Sequence, residues 1–210
     1  MLYNVLTSPK RMRTLLAFNS KGYLDETGWF NAFFSHSPVD VDGNPIPWVT
    51  YSFIDFINER LNKRHTVFEF GSGNSTFFYS KHAAKVVSVE HDRDWYDNVL
   101  RLKPENAELI YCQLRTDGDY CRTPLKLQTK FDIIIIDGRD RVNCCKQAIS
   151  SLSAGGVIIL DDAEREKYAE GLVFLKTQGF KQLSFTGISP GLFYLKATSV
   201  FYKPGNCLGV

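Results

Sequence analysis

Four consecutive isoleucines, Ile133–Ile136, are the feature of this 210-residue chain that most restricts its fold. They lie in a predicted strand, Phe131–Asp137, that is apolar on both faces, as a central strand of a parallel sheet must be. Other short strand patterns alternate with helical patterns along the chain, the strands being Thr66–Phe70, Lys85–Glu90, Glu108–Gln113 and Val157–Leu160. This alternation predicts an α/β fold with a parallel sheet.

The end of the chain departs from the alternation. Two further strand patterns, Lys181–Thr186 and Ser199–Tyr202, are separated by a short gap that contains Gly187, Pro190 and Gly191. A parallel crossover needs a helix of its own, so these two strands are predicted to be antiparallel. The sheet is therefore expected to be mixed and seven-stranded, unlike the all-parallel sheet of dinucleotide-binding proteins.

The helical patterns complete this outline. Helices are predicted over Tyr51–Leu61, over Val142–Leu152 with Gly155-Gly156 as its stop, and over Glu164–Thr177 with Gly179 as its stop. Residues 1–46 are aromatic-rich and end in a turn-rich segment, which predicts an irregular cap with a lid role. The remaining residues, 47–210, form the main domain in this interpretation.

Composition excludes several classes of protein. The chain is 44% hydrophobic and 23% charged with a net charge of +2, which indicates a globular protein and argues against nucleic acid or an anionic membrane as a partner. No apolar run is long enough for a membrane span. The five cysteines are odd in number and form no Cys-x-x-Cys motif, and no secretory signal is visible, so we expect reduced thiols in a cytoplasmic protein. No histidine–cysteine spacing indicates zinc.

Acidic residues stand at the carboxyl ends of four predicted strands. Glu69 lies near the end of the first strand, Glu90 ends the second, Asp137 the fourth and Asp161-Asp162 the fifth. Ligands of open α/β sheets bind beyond these strand ends. The edge that should carry the site is therefore predicted to be anionic, although the whole chain is slightly basic.

The turn after the first strand favours a positively charged ligand. Gly71 and Gly73 permit a tight turn, but Thr76 replaces the third glycine of the dinucleotide fingerprint. Glu69 would oppose a pyrophosphate, whereas an ammonium or sulfonium about 4 Å away gains roughly 4 kcal/mol before desolvation. Ser72, Asn74 and Ser75 complete the predicted cofactor-binding turn.

Glu90 follows Glu69 by twenty-one residues, a spacing at which an acid chelates the two ribose hydroxyls of an adenosine. The alternative for Glu90 is a helix cap or a solvated loop residue. His91 is expected to line the same pocket. Asp119 and Tyr120 could contact the adenine, although an ordinary turn explains them nearly as well.

The residues after the fourth and fifth strands are candidates for catalysis. Asp137 could hold an amino group, act as a general base or bind a metal, and Asp162 could face the acceptor. Arg139 and Arg141 could grip an anionic or sugar acceptor, the alternative being ion pairs with Asp140, Asp161 or Asp162. A divalent metal on the aspartates stays open but is not favoured.

These motifs resemble those of the class I S-adenosylmethionine-dependent methyltransferases. The resemblance rests on Glu69–Thr76, Glu90, Phe131–Gly138 and Gly155–Asp162 and covers residues 47–204. It implies a Rossmann-like sheet in the order 3-2-1-4-5-7-6 with helices on both faces. A narrower resemblance, to a bacterial FkbM-like group, rests on Asp42–Tyr51, Val89–Asp92, Ile136–Val142 and Thr198–Tyr202, and implies that Trp48 and Tyr51 border the pocket.

The resemblance implies transfer of a methyl group from S-adenosylmethionine to an oxygen or nitrogen of a small-molecule or sugar-type acceptor. Two rivals stay open at this point. One is a nicotinamide-dependent oxidoreductase, against which Glu69 and the missing third glycine count. The other is a non-catalytic module that binds the cofactor only.

Overall fold

The computed structural model describes residues 8–17 and 20–210. The described part of the N-terminal segment contains the helices α1 (Pro9–Ala17), α2 (Tyr23–Glu26) and α3 (Trp29–Ser35). The predicted irregular cap is thus partly helical in its described part, while residues 1–7 and 18–19 lie outside the described residues. Trp29 and Ile46 are buried in one apolar cluster with the main domain, so cap and domain share a core. The boundary at residue 46 stays a prediction.

The sheet has the predicted seven strands: β1 (Thr66–Phe70), β2 (Lys85–Glu90), β3 (Ala107–Tyr111), β4 (Phe131–Ile136), β5 (Leu152–Leu160), β6 (Lys181–Gly187) and β7 (Lys196–Tyr202). They lie in the predicted order, β3-β2-β1-β4-β5-β7-β6. Strands β1 to β5 are parallel to one another, and β7 runs antiparallel to both β5 and β6. The fold-class prediction is confirmed.

Helices cover both faces of the sheet. They are α4 (Tyr51–Arg60), α5 (Asn74–His82), α6 (Arg93–Leu102), α7 (Asp119–Lys126), α8 (Arg141–Ala148) and α9 (Ala169–Thr177). Ile133 and Ile135 of β4 pack in one apolar cluster with residues of α4 and α5. Ile134 and Ile136 pack in a second cluster with residues of α7, α8 and α9. The run of four isoleucines is therefore explained by burial on both sides of the central strand.

Strand β5 corrects the sequence interpretation. It begins at Leu152 and contains Gly155-Gly156, which were expected to end a helix, and helix α8 ends at Ala148 instead of Leu152. A side chain at Gly156 would meet the Phe131 carbonyl at 3.0 Å and the Leu152 side chain at 2.8 Å. Glycine is present because β5 approaches β4 closely here, and that reason is visible only when the two strands are paired.

Two helices also differ from expectation. The predicted helix Glu164–Thr177 begins as a turn and a short 3₁₀ segment, Glu166–Tyr168, and becomes α-helical only at Ala169. Helix α7 begins at Asp119 and Tyr120, for which the sequence offered an adenine contact or an ordinary turn but no helix, and it contains Pro124. Burial of its apolar side chains against the sheet stabilises α7 despite that proline, since tertiary packing overrides local propensity.

All five cysteines are free thiols, three of them buried. Within residues 8–17 and 20–210, no helix combines the length and the apolar character that crossing a membrane requires. The cytoplasmic location stays a prediction.

A buried charge cluster joins the carboxyl ends of β4 and β5 to the start of β7. The Lys196 Nζ atom lies 2.7 Å from an Asp161 carboxylate oxygen and 3.3 Å from one of Asp162. Arg141 lies 3.0 Å from the Asp137 carboxylate and 3.3 Å from that of Asp162. The buried carboxylates of Asp161 and Asp162 and the partly exposed carboxylate of Asp137 thus share two buried cations.

The charges in this cluster depend on one another. Burial and the neighbouring Asp137 raise the pKa of Asp161, while Lys196 opposes that shift. Burial alone would lower the pKa of Lys196, but Asp161, Asp137 and Asp162 together raise it above its ordinary value. Each ion is therefore stable in the interior only because its counter-ions are present.

We expect replacement of Lys196 by methionine to lower the free energy of unfolding by about 3–5 kcal/mol, because it removes a cation that contacts the two buried carboxylates of Asp161 and Asp162. Urea unfolding at neutral pH measures this loss. The matched control is Lys181→Met, at an exposed lysine of the edge strand β6, which should change stability by no more than about 0.5 kcal/mol. Equal effects of the two substitutions would contradict the role given to Lys196.

Candidate functional site

A cavity of about 450 Å³ lies at the carboxyl edge of β1, β2 and β4. This is the edge at which ligands of open α/β sheets bind, and the volume is that of a small-molecule site. Its lining residues come from the three strand ends and the segments that follow them: Glu69, Phe70, Gly71, Ser72, Ser75, Glu90, His91, Asp92, Trp95, Asp137, Gly138, Arg139 and Arg141.

The turn between β1 and α5 forms one wall of the cavity. Gly71 has a φ of 95° and Gly73 a φ of 148°, backbone conformations that a residue with a side chain rarely adopts. The Gly73 N–H donates to the Thr76 hydroxyl, over 3.1 Å, at the start of α5. The turn therefore presents backbone, without side-chain bulk at its two glycines, to whatever binds.

Glu69 lies beneath this turn and is 1% exposed. Its carboxylate accepts hydrogen bonds from the Thr76 hydroxyl over 2.7 Å and from the Ser88 hydroxyl over 2.8 Å. Burial raises the pKa of Glu69 to about 7, although these hydrogen bonds oppose the shift. Thr76, which replaces the third glycine of the fingerprint, thus links the acid to the turn.

Glu90 holds the turn from the other side. One carboxylate oxygen accepts from the Ser72 N–H and hydroxyl, each over 3.1 Å. The other accepts from the backbone N–H groups of His91, over 2.7 Å, and Asp92, over 2.9 Å. Of these donors only the Ser72 hydroxyl can rotate away, so a ligand hydroxyl could take its place. Glu90 is not a helix cap, since Asp92 caps α6 by accepting from the Trp95 N–H.

Trp95 is a lining residue that is not among the site residues predicted from the sequence. Its indole N–H donates to the Ser72 carbonyl over 2.7 Å, and its ring lies beside Gly73. Trp95 is 48% exposed, a large exposed fraction for a tryptophan. The sequence signal that could have indicated this role is the position of Trp95 in the first turn of the helix that follows Glu90.

The segment after β4 forms the opposite wall. The Asp137 side chain, 24% exposed, accepts from Arg141, and Arg139 lines the cavity without an ion pair to any described carboxylate. Gly138 packs against the backbone of Gly71, and a side chain at Gly138 would collide with the Tyr120 hydroxyl. Tyr120 is therefore buried below this wall, with its ring 6.0 Å from that of His91.

Several residues expected at the cofactor site lie elsewhere. The Asp119 side chain is exposed and pairs with Lys126 over 2.8 Å. Asn74 donates to Ser37 and to the Pro38 carbonyl, which ties α5 to the cap.

Trp48 and Tyr51 were expected to border the cofactor pocket, but neither of them lines this cavity. Trp48 donates to the Pro190 carbonyl over 2.7 Å. Tyr51 lines a separate cavity of about 550 Å³ between the cap, α4 and α5. That cavity lies away from the strand ends, so the smaller one remains the candidate site.

Arg141 and Asp162 take part in ion pairs. Arg141 makes the ion pairs that were considered as its alternative role, with Asp161 and Asp162, and adds Asp137. Asp162 is 3% exposed and is held by Arg141, Arg165 and Lys196. Within the described residues, no group of three or more His, Cys, Asp or Glu side chains is arranged to hold a metal ion.

Comparisons with known proteins bear on the fold. No protein-family model matches the chain. No curated protein matches it either. Solved structures do match, among them a methyltransferase from Pyrococcus furiosus, with a TM-score of 0.54, 14% identity and coverage of 93% of this chain and 98% of that one.

Two further structures show the same similarity. A protein from Streptococcus mutans, described as a methyltransferase and solved in complex with SAH, has a TM-score of 0.52 and 17% identity, covering 71% of this chain and 94% of that one. An rRNA methylase from Streptococcus thermophilus has a TM-score of 0.50 and 17% identity, covering 70% and 92%. At identities this low, the similarity concerns the fold alone. The protein described here has the fold of the class I methyltransferases.

Proposed function

We propose that the protein binds S-adenosylmethionine in the cavity of about 450 Å³ and transfers its methyl group to an acceptor. The observation that carries the proposal is the negative charge on the two sides of the glycine turn. Glu69 and Glu90 are both buried there, 1% and 4% exposed. A pyrophosphate in this position would face the Glu69 carboxylate, whereas a sulfonium and an ammonium would be attracted. This supports S-adenosylmethionine over a nicotinamide dinucleotide.

The lining residues fit this cofactor. Glu90 would accept hydrogen bonds from the two ribose hydroxyls, and one of these hydroxyls would replace the Ser72 hydroxyl. Glu69 and Asp137 lie where carboxylates would attract the positive charges of the methionine part. Asp119 is turned away from the cavity, so an adenine contact through it is not part of the proposal.

The cofactor supplies an activated methyl group, and the chain has to align an acceptor atom with it and exclude water. Asp137 is the candidate general base because its side chain lines the cavity, whereas Asp162 is held in the charge cluster. Arg139, which has no carboxylate partner among the described residues, would bind an anionic group of a small-molecule or sugar-type acceptor.

We expect Glu90→Gln to weaken binding of S-adenosylhomocysteine by about tenfold or more, because the substitution removes the charge that strengthens both ribose hydrogen bonds. Isothermal titration calorimetry measures the affinity, and thermal unfolding checks that the variant is folded. The matched control is Glu108→Gln on β3, an exposed glutamate paired with Lys85, which should bind normally. Unchanged affinity in the Glu90 variant, or tight binding of NADH in place of the cofactor, would contradict the proposal.

Affinity for S-adenosylmethionine should also depend on pH. The pKa of Glu69 is about 7, so its ionised fraction rises as pH increases from 5.5 to 7.0. The ionised form attracts the cationic ligand, and affinity should therefore rise by about tenfold over this interval.

Glu69→Gln is the matched variant for this measurement, since an amide can still accept from Thr76 and Ser88 but does not titrate. Its affinity should be nearly constant with pH, and subtracting its profile removes any titration of the ligand. Parallel profiles for the two proteins would exclude Glu69 as the titrating group.

A further inference from the structure

Helix α1 has an apolar side and a basic side. Met12, Leu15 and Leu16 are spaced three and four residues apart, so they share one face. Lys10, Arg11 and Arg13 occupy the remaining arc of the helix. Leu15 is 49% and Leu16 69% exposed, so this apolar face is largely open to solvent.

The chain segment that contains α1 is basic. The first 24 residues contain Lys10, Arg11, Arg13 and Lys21 and no aspartate or glutamate. The net charge of +2 conceals this local excess because acidic residues elsewhere offset it. A basic helix with an exposed apolar face is complementary to an anionic lipid surface, where the apolar side enters the acyl boundary and the cations meet the headgroups.

A second exposed apolar surface lies at the edge of the sheet that carries the candidate site. It consists of Phe34 with Phe193, Tyr194 and Leu195 from the loop between β6 and β7. Phe193 and Leu195 are 75% and 68% exposed. The surface is continuous because Phe33 contacts both Phe193 and Phe34, with ring centroids 5.3 Å and 5.4 Å apart.

This apolar surface is held in place by the fold. The Trp29 indole donates to the Leu192 carbonyl over 3.0 Å, and Leu195 directly precedes Lys196 of the buried charge cluster. Large apolar side chains that a well-anchored loop holds in solvent mark an interaction site. They also favour a lipid over a nucleic acid, which would call for cations and stacking rings along a groove.

We propose that α1 and this apolar surface bind the protein peripherally to an anionic lipid bilayer. The basic residues of α1 provide attraction at the headgroups, and the apolar residues of both elements provide insertion. This goes beyond the proposed function and does not depend on it. A lipid surface is compatible with the net charge of +2, because the basic residues of α1 are clustered. Peripheral binding also needs no spanning helix, and the described residues contain none.

Cosedimentation of the full chain with vesicles tests the proposal. We expect binding to mixed phosphatidylcholine–phosphatidylglycerol vesicles, little binding to pure phosphatidylcholine, and weakening by salt, since headgroup attraction is screened within about 10 Å at 0.1 M ionic strength. The triple variant Lys10→Glu, Arg11→Glu, Arg13→Glu should lose about tenfold or more of the affinity for anionic vesicles. Its matched control replaces three exposed lysines elsewhere by glutamate and should retain most of the binding. These lysines are Lys167, Lys176 and Lys181.

The double variant Phe193→Ser, Leu195→Ser tests the apolar surface and should also reduce vesicle binding. Its matched control is Val173→Ser, which changes an exposed apolar residue of α9 and should bind vesicles normally. Circular dichroism and thermal unfolding check that every variant is folded. Wild-type binding by either the α1 variant or the Phe193 and Leu195 variant overturns the proposal. So does binding of a short RNA, or self-association measured by ultracentrifugation, when vesicle binding is absent.

Discussion

The ion pairs between Lys196, Arg141 and three aspartates are the constraint on which the site edge depends. Asp137 and Asp161 follow β4 and β5, whereas Lys196 begins β7, which runs in the opposite direction. Buried carboxylates at the ends of adjacent parallel strands would repel one another without these cations. The antiparallel strand thus brings a lysine to the edge where the parallel strands bring acids. The cluster also orients Asp137, the only one of its three aspartates that lines the cavity.

A second set of polar contacts shapes the cavity next to this cluster. Glu69 bonds to Thr76 and Ser88 below the glycine turn, and Glu90 holds Ser72 above it. The turn is thereby fixed between two acids, one of them near its pKa at neutral pH. A site preorganised in this way gains from a positive ligand and loses from a phosphate. This physical difference separates the proposed cofactor from a dinucleotide, since both kinds of protein use a glycine turn after the first strand.

Prediction from sequence succeeded where residue type and local period were enough. The central strand, the antiparallel ending and the acids at the strand ends needed only alternation and spacing. It failed where a residue serves a distant neighbour. Gly156 permits close approach of β5 to β4, and α7 forms around Pro124 because the sheet buries its apolar side. Trp95 reaches the cavity through a bond to the Ser72 carbonyl, and Asp119 turns to Lys126, neither of which has a local signature.

The amino-acid sequence alone determined the order of strands and helices, the mixed sheet and the acidic character of one edge. These features follow from hydrophobic period, turn residues and chain connectivity, which are local properties. Tertiary structure decided which acids face the cavity and which are neutralised. Asp137 and Asp162 are equivalent candidates in the sequence, but the packing of α8 and β7 buries Asp162 between Arg141 and Lys196, whereas Asp137 pairs with Arg141 and stays partly exposed. Contacts between residues so far apart in the chain depend on the folded geometry, which no local pattern contains.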